Sequence, residues 1–440
     1  MRTLYAAAAA LSMLGLAACG SWIGGSKKTD QLKGERISVL TLDNSLKPDE
    51  RIQDLEVRLP KPYLDSDWPQ PGGVPNHANQ HLAAAGPLDQ LWRVDAGSGT
   101  DSEAQLLAQP IVADKSVFVL DAEARLTAFD AETGHQRWRK SLTPDTEDEG
   151  PRGGGVAYAE GRLYVTTGFA MVYCLDPKDG KEIWHHLVSG PMRAGPTVSG
   201  GRVFVITVAN ETHALAATDG RELWTHTGIT EVAGLLGGAS PAVEGDIVIA
   251  PYSSGELFAL QAESGRVIWN ESLSPLRRTD PVSSLAHIKG MPVVDRGLVY
   301  AVSNSGRMLA IDLRSGARVW EQGIGGTEAP WVAGDFIYVL TTTSEVVCLS
   351  RRDGRIRWVT PLPRYEDPKD KEDPIRWSGP VLAGDRLLVG ASDRDFWSIS
   401  PYTGKPLGRV RFGAGVLIAP SIANGTVYVL TEKAQLVALR

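Results

Sequence analysis

Few residues in this chain stand where types and spacing could do chemistry. His77 and His81 are at i, i+4, which on a helix would bring two imidazoles to one metal ion. Pro75 and the neighbouring glycines argue against a helix there, and no third ligand is near, so a structural role is expected. His185 and His186 are adjacent on an expected strand, so they point to opposite faces and cannot chelate. No C-x-x-C pair, G-x-S-x-G, H-E-x-x-H or phosphate-binding loop occurs. Gly153-Gly154-Gly155 is a glycine run with no helix after it. The acidic stretches TPDTEDEG (143–150) and RYEDPKDKED (364–373) read as solvated loops, and the first lacks the spaced Asp/Gly pattern of a calcium loop. No catalytic residue, cofactor site or metal site is expected.

What the chain does hold is a frame that could position such residues. Pro110 and Trp138, Pro196 and Trp224, Pro241 and Trp269, Pro292 and Trp320, and Pro330 and Trp358 are each 28 positions apart. Val156 with Trp184 and Pro380 with Gly408 keep the same spacing. An eighth copy starts at Pro420 and stops at Arg440. Four positions before the Trp column stand Gly134, Gly180, Gly220, Gly265, Gly316, Gly354 and Gly404. Ten before it the residues are small, and Cys174 and Cys348 fall in that column. A fixed repeat of this length is the mark of a stacked or radial array.

Within one copy, 292–320, turn signals divide four strands. Pro292-Val-Val is the first, Gly297 to Ser303 the second, Arg307 to Asp312 the third and Ala317 to Glu321 the fourth. Proline cannot donate to a ladder, so the first strand belongs on an edge facing a central channel. The expected fold is all-β: an eight-bladed β-propeller of four-stranded antiparallel blades. Residues 88–95 hold a Trp-bearing strand with no unit before it, and the chain end is a unit lacking that strand. Together they close the ring. Trp92, Trp138, Trp184, Trp224, Trp269, Trp320 and Trp358 then dock blade against blade, each burying roughly 150–250 Å². Cys174 and Cys348, in opposite blades, are too far apart for a disulfide and read as small buried residues.

Composition agrees with many short strands and turns: 47 Gly and 27 Pro in 440 residues. The formal net charge is −7, and nothing suggests a nucleic-acid partner. Residues 1–18, with Arg2 followed by an apolar and small-sided run, fit a secretory signal and are too short for a membrane span. Residues 19–67 read as a polar tether, 68–87 as a turn-rich lead-in lying against the body, and 88–440 as the propeller.

All length variation falls in the connectors between copies, which range from 10 to 23 positions. Such connectors emerge on one face of a propeller, and loops on a rigid scaffold carry function. Two long consecutive ones hold apolar residues beside charge: Val232, Leu235 and Leu236 in 225–240, and Arg277, Arg278, Leu285, His287, Ile288 and Lys289 in 270–291. Apolar residues rimmed by charge suggest a protein-binding patch; the leucines folding back into the blades is the other reading.

The pattern A-[LIF]-D-x-x-[TS]-G-x-x-x-W, as in LTAFDAETGHQRW (126–138) and MLAIDLRSGARVW (308–320), resembles the pyrroloquinoline-quinone type propeller repeat over residues 88–440. Leu16-Ala17-Ala18-Cys19 resembles the bacterial lipobox, which implies lipidation of Cys19; Gly20 after it implies sorting to the outer membrane. Together these features resemble the BamB family of the outer-membrane β-barrel assembly (BAM) machinery, in an alphaproteobacterial form with a long tether. That resemblance implies a non-enzymatic scaffold on the periplasmic face. It would bind the POTRA domains of BamA and other BAM components and assist insertion of outer-membrane protein clients. It places the BamA contacts in the two connectors above. Leu235-Leu236 keep part of the family's apolar stretch, and His287 and Lys289 stand near its paired acidic positions. The alternatives are a PQQ-dependent dehydrogenase, which would need a quinone and Ca²⁺, or a periplasmic polysaccharide-binding propeller.

Overall fold

The structure, a computed structural model, describes residues 46–84, 86–102, 104–145, 153–231, 233–275 and 285–440. Cys19, Val232, Arg277 and Arg278 lie outside them. Eight four-stranded antiparallel sheets form the body. Blade 5 shows the pattern: Val293–Asp295, Leu298–Val302, Met308–Asp312 and Arg318–Gln322, each within a residue or two of its expected bounds. Blades 1 to 7 each take one copy of the frame in chain order. Blade 8 joins Ser421–Ala423, Thr426–Leu430 and Gln435–Leu439 to the N-terminal strand Gln90–Asp95 as its outermost member, with Trp92 opposite Ala438. Among the described residues there is no α-helix, and none therefore long and apolar enough to cross a membrane.

The small-residue column has a direct cause. Ala128, Cys174, Ala214, Ala259, Ala310 and Cys348 sit opposite Trp138, Trp184, Trp224, Trp269, Trp320 and Trp358 across the outer ladder. One position before the Trp the register slips, so each outer strand holds a β-bulge. The bulged residue is pushed out of the ladder, which explains why Leu91, Ile183, Ile268, Val319 and Leu407 are exposed apolar residues.

Each Trp then packs on the following blade. A Cβ placed on Gly354 would lie 2.7 Å from the Trp320 ring, and Gly180, Gly220, Gly265, Gly316 and Gly404 face the preceding Trp in the same way. The indole N–H of Trp320 donates to the Arg351 carbonyl at 2.9 Å, and Trp184, Trp224, Trp269 and Trp358 make the equivalent bond. The junction from blade 7 to blade 8 departs twice. Gly408 replaces the Trp, and the following blade carries buried Leu88, at φ +68°, in place of the turn glycine. With no ring to meet, that position keeps its backbone shape and regains a side chain.

The segment before the propeller does more than lie against it. From Lys47 onward the chain belongs to the same compact unit as the blades. Asp49 N–H reaches the Ile356 carbonyl on the outer strand of blade 6. Residues 65–82 then make one circuit of the inner edge, blade by blade. The Asp65 carbonyl takes an N–H from Asn424 of blade 8, Trp68 from Val112 of blade 1 and Pro69 from Tyr158 of blade 2. The Gln70 side chain pairs with Val198 of blade 3, Pro75 takes Val243 of blade 4 and Asn76 takes Val294 of blade 5. Gln80 accepts from Trp331 Nε1 and Gly334 N–H of blade 6, and Leu82 from Gly384 of blade 7. Val112, Tyr158, Val198, Val243 and Val294 all stand two positions after the start of their frame. The strap therefore takes up one open backbone N–H in each blade, on the inner edge strand in blades 1 to 5 and in the turn that follows it in blades 6 to 8.

Candidate partner-binding face

The connectors between blades meet around an axial cavity of about 600 Å³, to which the strap adds Pro71. Its wall includes Leu107, Arg193, Leu235, Leu236, Lys289, Glu328, Trp377 and Ile418, one or two from nearly every junction. The Gly153-Gly154-Gly155 run belongs here as a packing device: a Cβ on Gly155 would lie 2.5 Å from the Cα of Gly195 in the next connector.

The two long connectors are bound into one unit. In 225–240 the backbone is pinned near its start, where Ile229 N–H donates to Glu256 Oε2 at 2.7 Å and Asn210 Nδ2 donates to the Ile229 carbonyl at 2.6 Å. Near its end, Leu235 N–H donates to His287 Nδ1 at 3.0 Å. That bond requires a neutral ring with its hydrogen on Nε2. Burial, reinforced by the Lys289 and Arg193 cations, holds the His287 pKa down at about 4. The next residues are fixed too: Asn304 N–H donates to the His287 carbonyl at 3.1 Å, and Lys289 Nζ lies 3.2 Å from Glu328 Oε1. A second hollow of about 340 Å³ opens beside them, lined by Arg193, Glu231, Gly234 and His287.

Of the residues expected to meet a partner, Leu235, Leu236, Leu285 and Lys289 are half-buried on this face. His287 is 6% exposed and Ile288 only 1%, inside the apolar cluster between blades 4 and 5. They shape the connectors from within, His287 through its hydrogen bond. No sequence pattern marks that bond, because the acceptor nitrogen and the donor are 52 positions apart.

The other polar candidates are placed as follows. His77 Nδ1 meets the Pro292 carbonyl at 2.7 Å, and burial pushes its pKa down to about 4. His81 Nδ1 meets the Pro60 carbonyl at 2.8 Å. His185 pairs with Glu182 at 2.6 Å. Cys174 and Cys348 are free and buried, which raises the Cys174 thiol to about 11. Sequence reading missed one array. Ser189 Oγ lies 2.9 Å from His213 Nε2, whose Nδ1 lies 2.8 Å from Glu222. The serine hydroxyl donates its hydrogen bond to the Glu211 carboxylate, and Ser189 lines neither cavity described above. Among the described residues no group of three or more His, Cys, Asp or Glu is arranged to hold a metal ion.

The family model for the outer membrane protein assembly factor BamB matches residues 67–150, 141–360 and 367–440. The BamB of Alkalilimnicola ehrlichii is 34% identical over 353 residues, covering 80% of this chain and 88% of its own. That of Escherichia coli K12 is 32% identical over 308 residues, 69% of this chain and 76% of its own. The crystal structure of BamB from Moraxella catarrhalis superposes with a TM-score of 0.67 at 18% identity, covering 80% of this chain and 100% of that one. A europium-containing methanol dehydrogenase reaches 0.64 at 14% identity, over 87% of this chain and 91% of its own, a likeness of fold alone. The matched stretches cover nearly all of the propeller and most of the strap's inner circuit, and the chain belongs to the BamB family of outer membrane protein assembly factors.

Proposed function

We propose that this chain is a non-enzymatic scaffold of the outer-membrane β-barrel assembly complex. It is anchored through a lipid on Cys19 at the periplasmic face of the outer membrane, where it binds the POTRA domains of BamA and assists barrel-protein insertion. The observation that supports this most is the fusion of connectors 225–240 and 285–291 through His287, with Leu235, Leu236, Leu285 and Lys289 half-buried on one face. A surface held in shape before binding loses little conformational freedom on docking. Arg277 and Arg278 belong to the same connector and add positive charge to the proposed contact. The relatives' role as outer membrane protein assembly factors supports a scaffold over the dehydrogenase reading.

The test is capture of assembly components from envelope extract by the tethered protein. Replacing Leu235 and Leu236 by Asp and reversing Arg277 and Arg278 should reduce recovery at least tenfold. Undiminished recovery with all four changes would remove this surface from the proposal. Adding PQQ with Ca²⁺ and following dye reduction tests the enzymatic reading, and no turnover is expected.

A further inference from the structure

The rim of the propeller is unevenly charged. The outermost strands of blades 2, 3 and 4 contain no Lys or Arg and one Glu each: Glu182, Glu222 and Glu271. Those of blades 7, 8 and 1, Pro406–Arg411, Gln90–Asp95 and Gln136–Ser141, carry Arg409, Arg411, Arg93, Arg137, Arg139 and Lys140 against one acidic residue, Asp95. The pattern is in register. Arg409, Arg93 and Arg139 each stand one position after the Trp column, where blades 3 to 6 have Thr225, Asn270, Glu321 and Val359. One buried carboxylate, Asp395, serves both Arg409 and Arg411, whose side chains are 59% and 57% exposed. Arg137 is paired with Asp130, but Arg93 and Arg139 bond to neutral groups, the Gln90 amide and the Thr127 hydroxyl. Beside these cations the bulges push out Leu407, 59% exposed, and Leu91, 50% exposed.

We infer that this arc docks the propeller rim on an anionic phospholipid surface. Cations beside protruding aliphatic side chains fit the headgroup boundary, where charge attracts and apolar side chains insert. Chain path favours lipid over an acidic protein. The polypeptide joins the body at the outer edge of blade 6, through Asp49 to Ile356, and Arg357 Nε holds the Leu55 carbonyl beside it. The chain leading from Cys19 therefore arrives next to blade 7, at one end of the arc. The flanking blades fall away from a plane tangent to blade 8, and they carry most of the cations, whose attraction reaches about 8 Å at physiological ionic strength. The arrangement also sets direction. In a ring of eight, blades 4 and 5 lie opposite blades 8 and 1, so the connectors entering them lie on the half of the ring away from the lipid.

The test uses the full chain with Cys19→Ser, so that no acyl chain contributes. It should co-sediment with vesicles containing phosphatidylglycerol and not with pure phosphatidylcholine, and lose binding in high salt. A cation near an anionic surface contributes roughly fivefold in affinity. Arg93→Glu, Arg139→Glu and Arg409→Glu together should therefore weaken binding by about a hundredfold or more. Arg221→Glu, Arg266→Glu and Arg314→Glu, exposed on blades 3, 4 and 5, change the net charge equally on the opposite side of the rim, and should leave binding within about threefold. Circular dichroism and a melting curve confirm that both triples fold. Equal binding to both vesicle types, or equal loss in both triples, overturns the inference. So does absence of vesicle binding while the arc triple loses capture of an acidic protein, which assigns the arc to that protein. Capture of assembly components through the connectors is a separate readout, so the two readings can fail independently.

Discussion

Single residues hold this ring together where the repeat itself is silent. Arg351 is 6% exposed at the junction of blades 5 and 6. Its guanidinium lies 2.6 Å from Asp295 Oδ2 and donates to the Tyr300 hydroxyl and the Gly334 carbonyl. Arg351→Ala leaves the largely buried Asp295 carboxylate with only Arg296 at 4.0 Å and should cost about 2–4 kcal/mol in urea unfolding, with Asp295→Asn added to the same chain recovering part of it. His287 gives a pH signature. Its folded pKa of about 4 lies below the ordinary 6.5, so between these values the unfolded chain binds the extra proton. Its contribution is complete above about pH 6.5, is lost as pH falls, and levels off below about 4. The change amounts to roughly 3 kcal/mol, and His287→Asn should lower the slope of the urea-midpoint curve over that window, leaving the part that His77 contributes through the same shift. Neither role could be read from the sequence. Arg351 is one of two adjacent arginines in a turn, and only the fold shows which one turns inward. Leu235 and Leu236 were legible as apolar residues between glycines, whereas the burial of Ile288 depends on a cluster drawn from two blades.

At the scale of the element, the sequence was far more transparent, because every blade repeats the same local solution. The Trp, Gly and small-residue columns are one contact seen from three places: a ring, the turn beneath it in the next blade, and the partner across the ladder. Trp320→Ala should cost about 3–5 kcal/mol, and an unchanged unfolding midpoint would exclude the packing role. The exceptional junction allows a sharper check. Gly408→Trp should destabilise the chain by about 1–3 kcal/mol, because a ring there meets Leu88. Leu88→Gly in the same chain should recover most of the loss, whereas each change alone should not stabilise. The bulges escaped sequence reading. A bulge leaves the spacing of columns intact and changes only which residue is expelled, so it shows in exposure alone, as at Leu91 and Leu407.

For the whole molecule, ring closure by residues 88–95 followed from counting, since one unit lacked a strand and one strand lacked a unit. The circuit of the strap did not. It touches each blade with one or two bonds, mostly through backbone atoms, so successive contacts demand no residue type and leave no period. Trp68 is its largest buried side chain, 2% exposed and stacked on Trp331 at 6.4 Å. Trp68→Ala should cost about 3–5 kcal/mol; removing residues 47–84 should broaden the calorimetric transition, because the blades lose the one element bonded to all of them. The same path has a mechanical meaning. A protein held by its N-terminal end feels tension first at Asp49, and the load reaches the strap's bonds one after another, never all together. The strap would therefore act as a peeling seam: a pull on the N-terminal end would release short lengths of chain, bond by bond, without loading the whole ring at once. The opposite order, with the ring opening first, would require the strap to be loaded along its whole length at once, and a single circuit around a closed ring does not allow that.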